Sequence, residues 1–248
     1  MNEMSLIAPV AYAILAAANP AALSYTPLHA ASLLLAASLS CYLRFCADKP
    51  SPDLLGGTFI ALGAAGLFHP PLFWLTPVYA ATTVSRAESK GRFWVTALLA
   101  LVFPAAVHIG IQYLRGGYAP PVILHGFLER MTAISHPVLH LSAATLVRIL
   151  LTFVVAAAAS LHLLRRLSRF RTGPFHATVR TLLITLVLTV LSALFLTDGD
   201  QPAGLLVMFP VSLILNAYLR NAGQDRSVRM LGLILLLVLA VERVSLLL

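Results

Sequence analysis

Few side chains in this sequence could do chemistry, and they are unevenly placed. There are eight histidines. His29, His69, His108, His125, His136 and His140 fall in or beside segments assigned to one face of a bilayer, and His162 and His176 to the other. Imidazoles gathered on one side have the chemistry for a metal site, a proton relay or an anion-binding surface. Only His136 and His140 are spaced as two ligands on one helical turn, and Pro137 interrupts them at a helix start. With no thiolate or carboxylate pair beside them, the remaining donors of a metal site are missing. Histidines hydrogen-bonding at the membrane interface are the simpler reading, and no metal or cofactor is expected.

Arg148 is the most costly residue. It lies about eleven residues into an apolar stretch, near a bilayer midplane, where a charge costs at least ~2.5 kcal/mol. Such a residue faces the bundle interior and finds a partner. One reading is a phosphate or carboxylate ligand, with Arg115 as a second cation and His69 and His140 beside them. The other is an internal ion pair with Glu242. Candidate catalytic carboxylates are scarce: Glu129, next to Arg130, and Asp200 in the Asp198-Gly199-Asp200 turn. Asp-Gly is first a turn signal. No Ser/His/Asp order, glycine-rich phosphate loop or zinc-protease motif occurs, so general acids and bases are in short supply.

The elements that must position these groups are apolar segments separated by short gaps. The gaps with Arg44 and Lys49, with Arg86, Lys90 and Arg92, with Arg165, Arg166, Arg169 and Arg171, and with Arg220, Arg226 and Arg229 are basic. The alternate gaps (19–27, 69–71, 116–136 and 198–200) are neutral or acidic. Lys and Arg are retained on the cytoplasmic side, so this alternation is that of a chain crossing a bilayer repeatedly. Hydrophobic periodicity places helices at about Met4–Ala18, Leu28–Cys46, Leu54–Phe68, Pro70–Val84, Phe93–Leu114, Pro137–Leu164, Phe175–Leu196, Pro202–Leu219 and Met230–Leu248.

The stretch from Leu54 to Val84 decides the threading. His69-Pro70-Pro71 interrupts it and Pro77 weakens it. One continuous crossing would set the basic gaps at 44–49 and 86–92 on opposite sides. A hairpin puts all four basic gaps inside, and we read a hairpin. Each arm is roughly 22 Å long, short of a ~30 Å hydrocarbon core. The expected fold is therefore an all-α transmembrane bundle in one domain, 1–248, with about nine crossings, the N-terminus cytoplasmic and the C-terminus periplasmic. The gap from Gly116 to His136 is too long for a turn. Its apolar piece Val122–Leu128 predicts a short interfacial or re-entrant helix. Gly56, Gly57, Gly63 and Gly66, and the run Ala156–Ala159, would let neighbouring helices approach closely.

Composition agrees. The chain has 248 residues, 59% hydrophobic and 10% charged, with mean hydropathy +0.89. A soluble domain is about a quarter charged. The net charge of +8 does not point to nucleic acid, because 12 of the 17 basic residues lie in the four basic gaps. Attraction to an anionic leaflet explains them. Cys41 and Cys46 imply neither a disulfide framework nor a thiolate site. Met1-Asn2-Glu3-Met4 lacks a basic region before the apolar run, so the first segment is expected to be retained.

Asn19-Pro20, the run from Leu33 to Arg44, the run from Gly56 to Pro71, Pro77-Val78-Tyr79, Met208-Phe209-Pro210-Val211-Ser212 and Asn216-Ala217-Tyr218 resemble an uncharacterised family of polytopic inner-membrane proteins from Bacteroidota. That resemblance implies location and fold, with no activity to carry over. A fainter likeness is to the membrane core of polyprenol-phosphate-sugar glycosyltransferases. Those enzymes use an acidic residue in the first outer loop as base, and residues 19–27 here contain none. The expected function is a non-catalytic accessory or scaffold subunit of a cell-envelope process. Membrane lipids or envelope proteins would dock on an outer surface of His69, the 116–136 loop and 198–200. The alternatives are an enzyme or carrier for an anionic lipid-linked substrate, using Arg148, Arg115 and Glu129 or Asp200, and a small-solute transporter built on the short Pro-broken helices.

Overall fold

The computed structural model describes residues 26–47, 51–84, 89–116, 120–132, 150, 152–162, 173–195 and 205–221. Among them every element is helical: α1 Pro27–Ala47, α2 Pro52–Phe68, a 3-10 turn Pro70–Trp74, α3 Leu75–Val84, α4 Lys90–Leu114, α5 Pro120–Thr132, α6 Thr152–His162, α7 Gly173–Phe195 and α8 Leu205–Asn221. The helices expected at Met4–Ala18 and Met230–Leu248 lie outside the described residues, as does most of Pro137–Leu164.

Local chemistry sets the ends. Ser51 is extended and its hydroxyl accepts the Leu54 N–H at 3.3 Å, while Pro52 occupies a first-turn position that needs no N–H. At the far end of α4, Gly116 adopts φ 72°, and its N–H reaches the Tyr113 carbonyl at 3.1 Å. A left-handed residue after the last turn is a common helix stop, and glycine enters it without a Cβ penalty. The expected helix Pro70–Val84 differs in its first turn, which is 3-10. Consecutive prolines at 70 and 71 lack the donors an α-helical turn would use.

Contacts fix the direction of each helix. The Ser38 hydroxyl donates to the Thr58 carbonyl at 2.8 Å, and Gly57 faces Cys41. Residue numbers fall along α1 as they rise along α2, so these helices are antiparallel. Between α2 and α4 the order is the reverse. Phe59 meets Phe93 edge to face at 6.3 Å, Gly63 meets Leu101, and Leu67 shares a cavity with Ala105. Numbers rise together, so α2 and α4 are parallel. Two parallel helices need a return segment between them, and that segment is the 3-10 turn with α3. Arg44, Lys90 and Arg92 therefore lie at one end of these helices and Arg115 at the other.

The core is apolar, with Leu28, Leu35, Leu39, Leu62, Leu75 and Leu186 among its most enclosed side chains. Several hydroxyls within it are satisfied locally, while those of Thr76 and Tyr79 have no hydrogen-bond partner. Thr58 donates to Leu54 O, Thr83 to Tyr79 O and Ser160 to Ala156 O, at 2.6–2.8 Å. This back-bonding removes the need for water around a polar atom in an apolar interior. Pro27–Cys46 and Lys90–Leu114 are long and apolar enough to cross a membrane. The second has mean hydropathy 2.0, yet only 17% of its apolar span is buried. Trp94, Leu98, Leu99, Phe103 and Leu114 all project outward from α4. A buried core helix would cover these residues.

Close approach of α4 depends on α2. A Cβ on Gly63 would fall on the Leu101 carbonyl oxygen, and one on Gly66 on the Phe73 ring. A Cβ on Gly57 would lie 3.1 Å from the Cys41 sulfur, while one on Gly56 would meet nothing within 4 Å. Only backbone lies opposite Gly63, so it has no side chain to move aside. Gly63→Ala should lower stability by about 1–3 kcal/mol, as overpacking does. Gly56→Ala should be neutral or slightly stabilising. Thermal unfolding of the detergent-purified protein checks both; equal midpoints for the two variants would contradict the packing described.

Candidate functional site

One face of α7 carries Thr181, Thr185, Thr189 and Ser192, and all four are buried. Steps of four, four and three residues align side chains on one side of a helix. The broken hairpin lies against this stripe. Tyr42 of α1 donates its hydroxyl to the Thr181 hydroxyl at 2.8 Å and stacks on Tyr79 of α3, with ring centroids 5.0 Å apart and planes at 18°. The Tyr79 hydroxyl is buried beside Thr185 without a hydrogen bond of ordinary geometry. At the other end of the stripe, His69 Nε2 and the Ser192 hydroxyl are 2.5 Å apart. Between His69 and Tyr79 the chain thus travels from the level of Ser192 back to that of Thr181 and Thr185. That path covers roughly 10–16 Å of α7 at 1.5 Å per residue.

His69 has a structural place in the corner. Its N–H closes α2 on the Ala65 carbonyl, and its own carbonyl accepts the Leu72 N–H that opens the 3-10 turn, both at 3.0 Å. Its side chain is 6% exposed. His69, expected at the outer surface, is enclosed, and its imidazole is engaged by Ser192. Burial also holds its pKa down at about 4, from an ordinary 6.5. A neutral ring fits a site with only a hydroxyl partner.

Beyond the corner, α5 folds onto the 3-10 turn. Phe127 meets Phe73 edge to face at 5.3 Å. This is the short loop helix anticipated from Val122–Leu128, extended to Pro120–Thr132. Between α5, α4, α2 and the turn lies a cavity of about 140 Å³, lined by Leu67, Phe73, Leu101, Ala105, Ile109 and Phe127 among others. Apart from His108, its lining residues are apolar. On the outer face of α5, His125 Nε2 lies 3.2 Å from Glu129 Oε1, with both side chains mostly in solvent. An exposed pair one turn apart contributes little. Arg115 is exposed where α4 ends, and its N–H bonds to the Ile111 carbonyl at 3.1 Å. His108 is exposed on α4. His29 turns onto its own helix start, where Nδ1 accepts the Thr26 N–H at 3.2 Å.

The structure thus brings Arg115 and the helix bearing Glu129 to one end of the molecule and places His69 inside it. Arg148, Glu242, His136, His140, Asp198 and Asp200 lie outside the described residues. No group of three potential metal ligands is found among the described residues. Sequence reasoning missed the α7 stripe. The signal was present as Thr181, Thr185, Thr189 and Ser192, four hydroxyl residues repeating at helical spacing inside an apolar segment. No family model, curated protein or solved structure matches this chain.

Ser192→Ala leaves the buried imidazole without a partner and should lower stability by about 1–3 kcal/mol. The pH response has a defined sign. The unfolded chain takes up the His69 proton near pH 6.5 and the folded one only near 4, so unfolding binds protons in between. Stability from this residue is full above about 6.5 and falls as the pH drops towards 4, by a few kcal/mol at most. Melting temperatures from pH 7.5 to 4.5 should fall less steeply in His69→Gln than in the natural protein; parallel curves would contradict this.

Proposed function

We propose that the chain is a multi-pass protein of the bacterial cytoplasmic membrane that acts as a non-catalytic scaffold or accessory subunit in a cell-envelope process. It crosses the bilayer about nine times, with the N-terminus inside and the C-terminus outside. The apolar sides of α4 support a lipid surround. The grouping of Arg44, Lys90 and Arg92 at one end supports a cytoplasmic assignment for that end. The resemblance to uncharacterised polytopic inner-membrane proteins fits the same placement.

One observation carries the scaffold reading. Apart from the Thr76 and Tyr79 hydroxyls, the polar side chains described inside the core bind one another or helix backbone: His69 with Ser192, Tyr42 with Thr181, Ser38 with the Thr58 carbonyl. They brace helices and do not line a wet cavity. What the outer end offers instead is α5, held on the corner by Phe127 and presenting His125 and Glu129 to solvent. A rigid platform with an exposed polar face suits docking. A second reading, a carrier or enzyme for an anionic lipid-linked substrate, is favoured by the apolar cavity beneath α5, with Arg115 on phosphate and Glu129 as base.

A photoreactive residue at His125 of the full chain, in native membranes, should give a discrete protein adduct, whereas one at Leu99 on the outward side of α4 should give only lipid adducts. Protein adducts from neither His125 nor its neighbour Glu129, together with turnover of a polyprenol-phosphate probe, would overturn the scaffold reading in favour of the second.

A further inference from the structure

Among the described residues His69 is the only buried histidine, and histidine is the side chain whose ordinary charge change falls between pH 5 and 8. It sits at the joint of the broken hairpin. Its N–H ends α2 on the Ala65 carbonyl, and its own carbonyl accepts the Leu72 N–H. Pro70 and Pro71 have no N–H to give, so the Leu72 bond is the first that closes the 3-10 turn. The next residue, Phe73, packs on Phe127 of α5. α5 is thirteen residues long and mostly exposed, and a helix of that length is marginal by itself. What holds the His69 ring in place therefore also holds the floor under α5.

A proton would undo that hold. Among the described residues the ring has one hydrogen-bond partner, the Ser192 hydroxyl. An imidazolium carries two N–H donors and a charge, and a buried charge without a counter-ion is costly. The turn packs against α2, α3, α5 and α7. Their ionisable residues are Asp53 on α2, Tyr79 on α3, His125, Glu129 and Arg130 on α5, and His176 and Arg180 on α7. Neither carboxylate is placed to compensate. Asp53 begins the far end of α2, about 24 Å along the helix from His69, and Glu129 faces solvent beside His125. His29, at the start of α1, is engaged by Thr26, and His108 and Arg115 are exposed on α4. We infer that His69 is an acid-sensitive latch: a proton on its imidazole parts it from Ser192, loosens the 3-10 turn and frees α5. In the proposed topology the corner lies towards the outer side, which is open to an acid medium. Docking on α5 then weakens in acid, a consequence that rests on the scaffold reading, whereas the latch itself does not.

Hydrogen–deuterium exchange of the full detergent-purified chain, read by mass spectrometry and corrected for the intrinsic pH dependence of amide exchange, measures local opening. The imidazole binds its proton near pH 6.5 when released and near 4 when enclosed, so acid favours the released state. From pH 7.5 to 4.5 the opening of peptides covering 72–76 and 120–132 should rise about 70-fold. Peptides covering 55–62, in the buried part of α2, should change little. His69→Gln keeps a neutral side chain that can reach Ser192 and should abolish the rise. Ser192→Asp sets a carboxylate beside the imidazolium and should abolish it too, which covers the case of a His69→Gln that does not fold. Opening of 72–76 that does not depend on pH, the same rise in all peptides, a rise at 72–76 without one at 120–132, or a rise retained in either folded variant overturns the latch. Loss of the His125 cross-link to protein would leave these exchange results standing, so the latch and the scaffold reading fail separately.

Discussion

The hydroxyl stripe of α7 pins the broken hairpin, and the arrangement of the first five helices depends on it. α3 is ten residues long, about 15 Å, and a helix so short is marginal by itself. It holds its place because the corner before it and its own midpoint are fixed to α7 and α1. His69 meets Ser192 at the corner, and Tyr79, midway along α3, stacks on Tyr42 beside Thr181 and Thr185. An apolar seam would supply affinity without position. The His69–Ser192 hydrogen bond and the Tyr79–Tyr42 stack set the register of the returning segment, since each slip of one turn would part the imidazole from its hydroxyl partner.

Everything at the far end follows from that register. With the return segment in place, α4 runs beside α2 in the same direction, and Gly63 lets the two backbones touch at Leu101. The 3-10 turn then presents Phe73 outward, where Phe127 of α5 packs on it. The gap between these parts is the apolar cavity. A corner made of His69-Pro70-Pro71 is thus both the reversal point and the floor on which the outer helix rests.

Much of this was legible in the residues. Prolines at 70 and 71 mark the break, hydropathy marks α1, α2, α4, α7 and α8 to within a few residues, and Val122–Leu128 marks α5. The parallel course of α2 and α4 follows from grouping the basic gaps on one side. Other features were hidden for physical reasons. A histidine beside two prolines reads as a surface turn, because its burial is decided by Ser192, distant in the chain. Thr181, Thr185 and Thr189 are mild enough in hydropathy to vanish into an apolar average, although their spacing carries the information. The cavity draws walls from α2, the turn, α4 and α5, and no local pattern announces an empty space between segments.

The central claim is that the chain turns back at His69–Pro71, so that the ends bearing Arg44 and Lys90 lie on one side of the membrane and Arg115 on the other. Single cysteines at these three positions, in a chain with Cys41 and Cys46 replaced by serine, can be labelled in intact cells with a membrane-impermeant maleimide. The proposed topology predicts that only the cysteine at position 115 reacts from outside, and that those at 44 and 90 react together once the membrane is opened. Reaction of positions 44 and 90 from opposite sides would mean that residues 52–84 cross once as a single rod, and would contradict the account.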